Sequence, residues 1–258
     1  METFEVPMRP LLVFLVVLAR VGGLVTFAPF WSHRAANAKV RVVLAAALAL
    51  ALAPAVSDRI ETPPSEVYAL GLVLMSELAV GLVFGFVGRV VFMGFEMASY
   101  FIAAQMGFSL AGTIDPSTQA QTTAFGTIAQ MLALMVLLAA DGHHWFLAAA
   151  VKSYATSAPG AFYFSGALVD VFLRLSADAL VVGVTLAAPA IIVLLAVEFA
   201  LEFFGRTAPQ FQVFILGFPL KIGVGLWIVG ASLYFLPNAM RDVLQGVYQG
   251  LGKVLETM

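Results

Sequence analysis

The sequence predicts an all-helical membrane protein, and three observations carry that prediction. Of 258 residues, 62% are hydrophobic, with a mean hydropathy of +0.99. Only 11% are charged, against roughly 25% in a soluble domain, so the usual solvated shell is missing. Apolar stretches recur with short polar interruptions, and in lipid each backbone donor and acceptor must be satisfied inside the chain, which makes such stretches helices.

The stretches fall at 11–30, 40–56, 67–95, 97–111, 125–140, 145–154, 179–204 and 211–236. At about 20 residues per crossing, they hold several membrane helices. Two segments, 179–197 and 222–240, carry no charge at all. Breakers lie between the stretches at Pro63-Pro64, Asp115-Pro116, Pro159-Gly160 and Pro237-Asn238. Glu2 and Glu5 stand where a signal peptide needs basic residues, and no small-x-small cleavage site follows, so 11–30 is expected to be retained.

Lys and Arg give an orientation. Arg34, Lys39 and Arg41 follow the first stretch, whereas 57–66 holds Asp58, Glu61, Glu66 and only Arg59. The positive-inside rule puts 34–41 in the cytoplasm and the N-terminus outside. From Asn238, a predicted N-cap, Met240, Val243, Leu244, Val247 and Leu251 recur at helical spacing, with Arg241, Gln245 and Lys253 opposite. That pattern predicts an amphipathic helix on a membrane or partner surface.

Several function classes are excluded. Without cysteine there are no disulfides, Cys-ligated zinc, iron–sulfur clusters or thiol nucleophiles. A net charge of −2 and no basic patch argue against nucleic acid. No G-x-S-x-G, phosphate loop or Rossmann glycine pattern is present. Asp141-Gly142-His143-His144 invites a metal hypothesis, but adjacent histidines do not share a helix face and no i, i+4 ligand pair accompanies them. A polar helix-end turn is predicted there, with no metal, no cofactor and no catalytic set.

Arg20, Glu77, Arg89, Glu96, Asp178, Glu198 and Glu202 lie in or beside apolar stretches. Facing lipid, they would together cost roughly 20 kcal/mol. They are expected to face one another, a watery cavity or another subunit, or to snorkel near helix ends. Gly81 and Gly85 form a G-x-x-x-G that lets a neighbouring backbone approach, within the chain or between subunits. Residues 105–123, QMGFSLAGTIDPSTQAQTT, are polar and broken by Asp115-Pro116 between two apolar stretches. Backbone of that kind at membrane depth survives only when buried in protein or lining a cavity. One reading is a re-entrant constriction closed by Met106, Phe108 and Leu110; the other is a polar loop outside the bilayer. Glu77, Glu198 and Glu202 would also suit an ion-coupled transporter, although no internal repeat is seen.

In order along the chain, the motifs resemble the FliR family of flagellar type III export-gate membrane proteins and its injectisome counterpart. They are Ala19-Arg20 with Pro29-Phe30; Glu77-Leu78 leading to Gly81, Gly85 and Phe86; and Gln105-Met106-Gly107-Phe108-Ser109-Leu110-Ala111 before Asp115-Pro116. Then come Gly142-His143-His144 with Ser153 and Pro159, and Arg206-Thr207-Ala208-Pro209-Gln210-Phe211 running into Gly217-Phe218-Pro219-Leu220-Lys221. The Gly-His-His turn and the Gly-Phe-Pro-Leu-Lys run lean to the flagellar branch. One departure is Ala35-Ala36-Asn37, where the family has a proline ahead of its basic residues.

The resemblance implies a non-enzymatic subunit of the bacterial inner membrane, within the flagellar basal body. It implies one copy assembled with several FliP and FliQ homologues beside an FlhB-like subunit, contacting lipids and unfolded export substrates. The implied fold is a single export-gate domain, 1–258, of hydrophobic helical hairpins: a FliP-like part over about 1–169 fused to a FliQ-like hairpin over about 170–258. The assembled gate stands largely above the membrane plane. The family's pore plug falls on Met106, Gly107, Phe108, Ser109, Leu110, Ala111 and Gly112. Arg20, Glu77, Arg89, Glu198, Glu202, Arg206 and Lys221 are then expected at polar subunit interfaces, and Gly81 and Gly85 in helix packing.

Overall fold

The computed structural model describes residues 8–29, 31, 37–60, 64, 66–108, 124–139, 141–162, 165–208, 213–232, 234, 245–246, 249 and 252. Every regular element among them is helical. They are α1 (Met8–Phe27), α2 (Ala38–Val56) with a 3-10 turn (Ser57–Arg59), α3 (Val67–Gln105), α4 (Ala124–Ala139), α5 (Gly142–Thr156), α6 (Gly166–Thr207) and α7 (Val213–Ser232). By length and composition, α1, α2 with its 3-10 turn, α3 and α6 can each cross a bilayer, and α4 with α5 forms a pair bent by 61°.

Two expectations need correction. The stretch 67–95 and the next one as far as Gln105 are one helix of 39 residues, not two. Glu96 suggested the break, but a carboxylate need not end a helix when it is satisfied sideways, and Gln130 Nε2 on α4 donates to Glu96 Oε1 at 2.6 Å. The stretch 179–204 extends backwards through Asp170, Arg174 and Asp178 into a helix of 42 residues. At 1.5 Å per residue, α3 and α6 reach about 58 and 63 Å, twice a hydrocarbon core of ~30 Å. The tail expected as an amphipathic helix from Asn238, and 109–123, lie almost wholly or wholly outside the described residues.

Helix ends follow local chemistry. Asn37 caps α2, its Oδ1 accepting from the Lys39 amide at 3.4 Å. Pro159-Gly160 closes a type II turn: the Ala161 amide donates to the Ala158 carbonyl at 3.0 Å, and Gly160 takes the positive φ of 84° that its position demands.

The chain divides into two compact units. Unit 1 comprises Met1–Val90, Asp141–Ser176 and Leu244–Met258; unit 2 comprises Val91–Ala140 and Ala177–Val243. Unit 1 packs α1, α2, α5 and the first part of α3 around Val13, Val16, Val17, Val21 and Tyr154. Unit 2 packs the rest of α3 with α4, α7 and the later part of α6 around Ala98, Ile102, Met106, Phe125 and Leu194.

Close backbone approach brings α1 and α3 together. A Cβ at Gly23 would lie 2.5 Å from the Leu78 carbonyl oxygen, and one at Gly85 would lie 2.8 Å from that of Leu24. A Cβ at Gly81 would overlap the Arg20 carbonyl. Gly81 and Gly85 therefore face α1 of the same chain. Backbone cannot give way as a flexible side chain can, so Gly81→Val should destabilise the protein by about 3 kcal/mol. Gly22, whose Cβ would meet nothing within 4 Å, should accept Ala without loss. Heat-induced unfolding followed by tryptophan fluorescence checks both.

Candidate functional site

Two polar or strained clusters stand out, one in each unit. In unit 1, Arg20 lies on the face of α1 that the small residues Gly23 and Gly81 press against α3. Its guanidinium grips Glu77 with two bonds, Nε to Oε2 at 2.7 Å and Nη2 to Oε1 at 2.8 Å. The remaining Nη1 donates to the Ser153 hydroxyl on α5 at 2.6 Å. Ser153 Oγ donates in turn to the Ala150 carbonyl at 2.6 Å, so its one hydrogen is used. The Tyr154 ring lies under the guanidinium, 3.7 Å from its carbon, within the range of a cation–π contact. The Arg20 and Glu77 side chains are 0% and 1% exposed. Arg, with its rigid planar fork, is the residue that can hold a carboxylate and a hydroxyl at once in a dry core.

Arg20 and Glu77, expected to face one another, a cavity or another subunit, meet each other inside the chain. The other ionisable positions differ. Arg89 is half-buried on α3. Glu198 Oε1 accepts from Lys221 Nζ at 2.7 Å, joining α6 to α7, and the Glu198 side chain is still 38% exposed. Glu202, Arg206 and Asp178 are exposed on α6.

In unit 2 the first three residues of the expected plug are described, and Ser109, Leu110, Ala111 and Gly112 lie outside the described residues. The C-terminus of α3 closes in a Schellman motif. The Phe108 amide donates to the Ala103 carbonyl at 3.0 Å and the Gly107 amide to the Ala104 carbonyl at 3.1 Å. Gly107 sits at φ 91°, the left-handed position where this motif places glycine. Met106 is fully buried, and Phe108 stacks on Phe125 of α4 with centroids 6.3 Å apart and planes 9° apart. An apolar cavity of about 530 Å³ opens beside Phe125 and Ile102.

The Asp141 turn corrects an expectation. Asp141 adopts φ 56°, and the rings of His143 and His144 lie 4.1 Å apart, so the neighbouring histidines do converge. Donor atoms of Asp141, His143 and His144 lie within 4.8 Å of one another. Three donors from four successive residues fall short of the four that close a structural zinc site, and the Asp141 carboxylate already lies 3.3 Å from His144 Nδ1.

Sequence reasoning missed the partners of Arg20. Ser153 and Tyr154 carry no sequence signal linking them to a residue on α1; only the fold brings them within reach.

The family model for bacterial export proteins, family 1, matches residues 11–247. The chain is 34% identical over 232 residues to the flagellar biosynthetic protein FliR of Caulobacter vibrioides, covering 88% of this chain and 90% of that protein. It is 29% identical over 244 residues to the Escherichia coli protein of the same name, covering 93% and 92%. The Yop proteins translocation protein T of Yersinia pestis is 28% identical over 242 residues, 92% of each chain.

Cutting one partner from the buried pair should cost more than removing both. Arg20→Ala strands an unpaired carboxylate and should destabilise by ~3–5 kcal/mol, whereas Arg20→Met with Glu77→Leu should recover most of that loss. Unfolding midpoints of the two variants check the difference.

Proposed function

The chain belongs to the bacterial export proteins, family 1, and from that premise we propose that it is a non-enzymatic subunit of the type III protein export gate in the inner membrane of a flagellar basal body. The observation that carries this is the family match across residues 11–247. The helices suit the location, since among the described residues four are long and apolar enough to cross a bilayer. Its membership implies an oligomeric export complex. Within that complex its partners are homologues of FliP and FliQ and an FlhB-like subunit, and its cargo is unfolded flagellar protein. The driving force comes from those partners and the proton gradient.

Met106 to Gly112 form the plug that seals the pore at rest, with Phe108 and Leu110 as apolar bulk. The Schellman closure supports this reading, because it ends a helix of about 58 Å abruptly at Met106-Gly107-Phe108. Methionine suits a seal against varied passengers, since its flexible thioether conforms to them. Helices twice the bilayer's thickness support a gate raised above the membrane plane.

The polar residues left at the surface, Glu202 and Arg206 with part of Glu198 and Lys221, meet neighbouring subunits. The FliP-like and FliQ-like parts, about 1–169 and 170–258, remain a reading of ancestry. Unit 1 and unit 2 are each built from separated segments, and position 170 falls inside α6. The injectisome apparatus is the second reading, favoured by the Yersinia relative; the higher identity to the Caulobacter protein favours the flagellar one.

In the assembled complex, Phe108→Gly with Leu110→Gly should leak ions across the membrane, and unchanged conductance rejects the plug. Affinity purification of the chain should bring FliP and FliQ homologues with it. A stable monomer that transports solutes alone would reject the gate.

A further inference from the structure

The turn that opens α5 gathers ligand-type side chains for which the proposed gate has no use. Asp141, His143 and His144 each place one donor atom within 4.8 Å of the others. Successive residues in mid-helix point about 100° apart, yet at this first turn the two imidazole rings lie 4.1 Å apart. The His144 amide donates to the Asp141 carbonyl at 3.0 Å, and Asp141 itself is left-handed at φ 56°. That turn brings the carboxylate round to the rings. Asp141 Oδ1 and His144 Nδ1 are 3.3 Å apart, longer than the ~2.7–2.9 Å of a charge-assisted hydrogen bond. Donors held tetrahedrally by one zinc ion, at about 2.0–2.2 Å each, stand ~3.3–3.6 Å from one another. His143 Nδ1 is enclosed and has no hydrogen-bond partner. Such a nitrogen costs free energy until something takes its lone pair, and a cation does so.

We propose that Asp141, His143 and His144 form an open binding site for a borderline divalent metal ion of the zinc class, held by one carboxylate oxygen and one nitrogen of each ring. Three protein donors with the remaining position left to water is the pattern of an open zinc site, as distinct from the closed structural kind. Imidazole with carboxylate selects zinc, nickel or copper over magnesium and calcium, which take oxygen donors. Bringing the wider pairs to coordination distance needs a closure of about 1 Å. The His144 and Asp141 side chains, 65% and 71% exposed, are free to make it. The positive end of a helix opposes a cation, and the Asp141 carboxylate offsets that. All three ligands belong to unit 1. The helix they open also carries Ser153 and Tyr154 to Arg20. An ion bound to the folded unit alone therefore stabilises the helix that holds the buried pair.

The test uses the full chain purified from membranes with whatever subunits accompany it, stripped by chelator and dialysed against Zn2+. Comparing variants cancels metal held elsewhere. Asp141→Gly is the first variant, since glycine takes the left-handed backbone without strain and only the carboxylate is lost. Wild type should retain one more zinc per copy of this chain than Asp141→Gly does. Losing even a residue behind a ligand weakens a metal site about 10–100-fold, so losing a ligand should weaken this one about 100-fold or more. His144→Ala should lose the same zinc. Co2+ in place of zinc should give a visible ligand-field spectrum in wild type that both variants lack. The thermal unfolding midpoint should rise with Zn2+ in wild type and stay put in Asp141→Gly. Equal zinc in wild type and both variants means an adventitious ion only and overturns the proposal. So does a wild type that keeps no zinc, or one that holds magnesium as tightly. Should Asp141→Gly fail to fold, His144→Ala decides by the same readings.

Discussion

The two-bond contact between Arg20 and Glu77 sets the conditions for the rest of unit 1. Two opposite charges this deep are stable only in one geometry, because each loses its hydration and the pair must replace it. Both carboxylate oxygens are used, and the third guanidinium nitrogen reaches Ser153. Three helices are thereby tied at one point: α1 through Arg20, α3 through Glu77 and α5 through Ser153 and Tyr154. That bond length needs α1 and α3 to lie almost backbone to backbone. Gly23 and Gly81 permit it, one turn from the charges on each helix. The glycines and the ion pair thus depend on each other, and neither helix can slide or separate without exposing a charge.

Unit 2 is organised differently. Two of its polar pairs, Gln130 to Glu96 and Lys221 to Glu198, are only partly buried. Its core has Met106 seated in the notch at Gly225, and α3 and α6 approach closely at Gly94 and Gly183, where a Cβ on Gly183 would lie 3.0 Å from the Gly94 carbonyl oxygen. Contacts of this kind are short-ranged and have no obligatory partner, so they can be exchanged at lower cost than a buried ion pair. An apolar cavity of about 530 Å³ in the same unit gives its side chains room.

The surface of α6 makes a further demand. Its central segment 179–197 is free of charge, about 28 Å long at 1.5 Å per residue, and close to the thickness of a hydrocarbon core. Beyond it, Glu202 and Arg206 stand exposed beside Phe199 and Phe203, which are 69% and 71% exposed. Carboxylates suit neither acyl chains nor an aromatic surface, and bare aromatics suit water poorly. Cover by another polypeptide resolves both mismatches at once, in agreement with an oligomeric complex.

The helical class and the membrane setting were legible because they depend on composition, which no arrangement of the chain can alter. The family was legible from motif order, and residues 11–247 match its model. Helix boundaries were less legible. A charge in an apolar run reads as an interruption, and only the position of Gln130 explains why α3 continues through Glu96. What tertiary structure alone decided is which polar groups meet. Sequence reasoning could say that Arg20 and Glu77 had to be neutralised, because hydration is lost in a greasy interior whatever the fold. It could not say by whom, because Ser153, 133 residues away from Arg20, is brought near only by packing. The pairing of Gly225 with Met106 has the same origin: an absent side chain has meaning only once a neighbour fills its place.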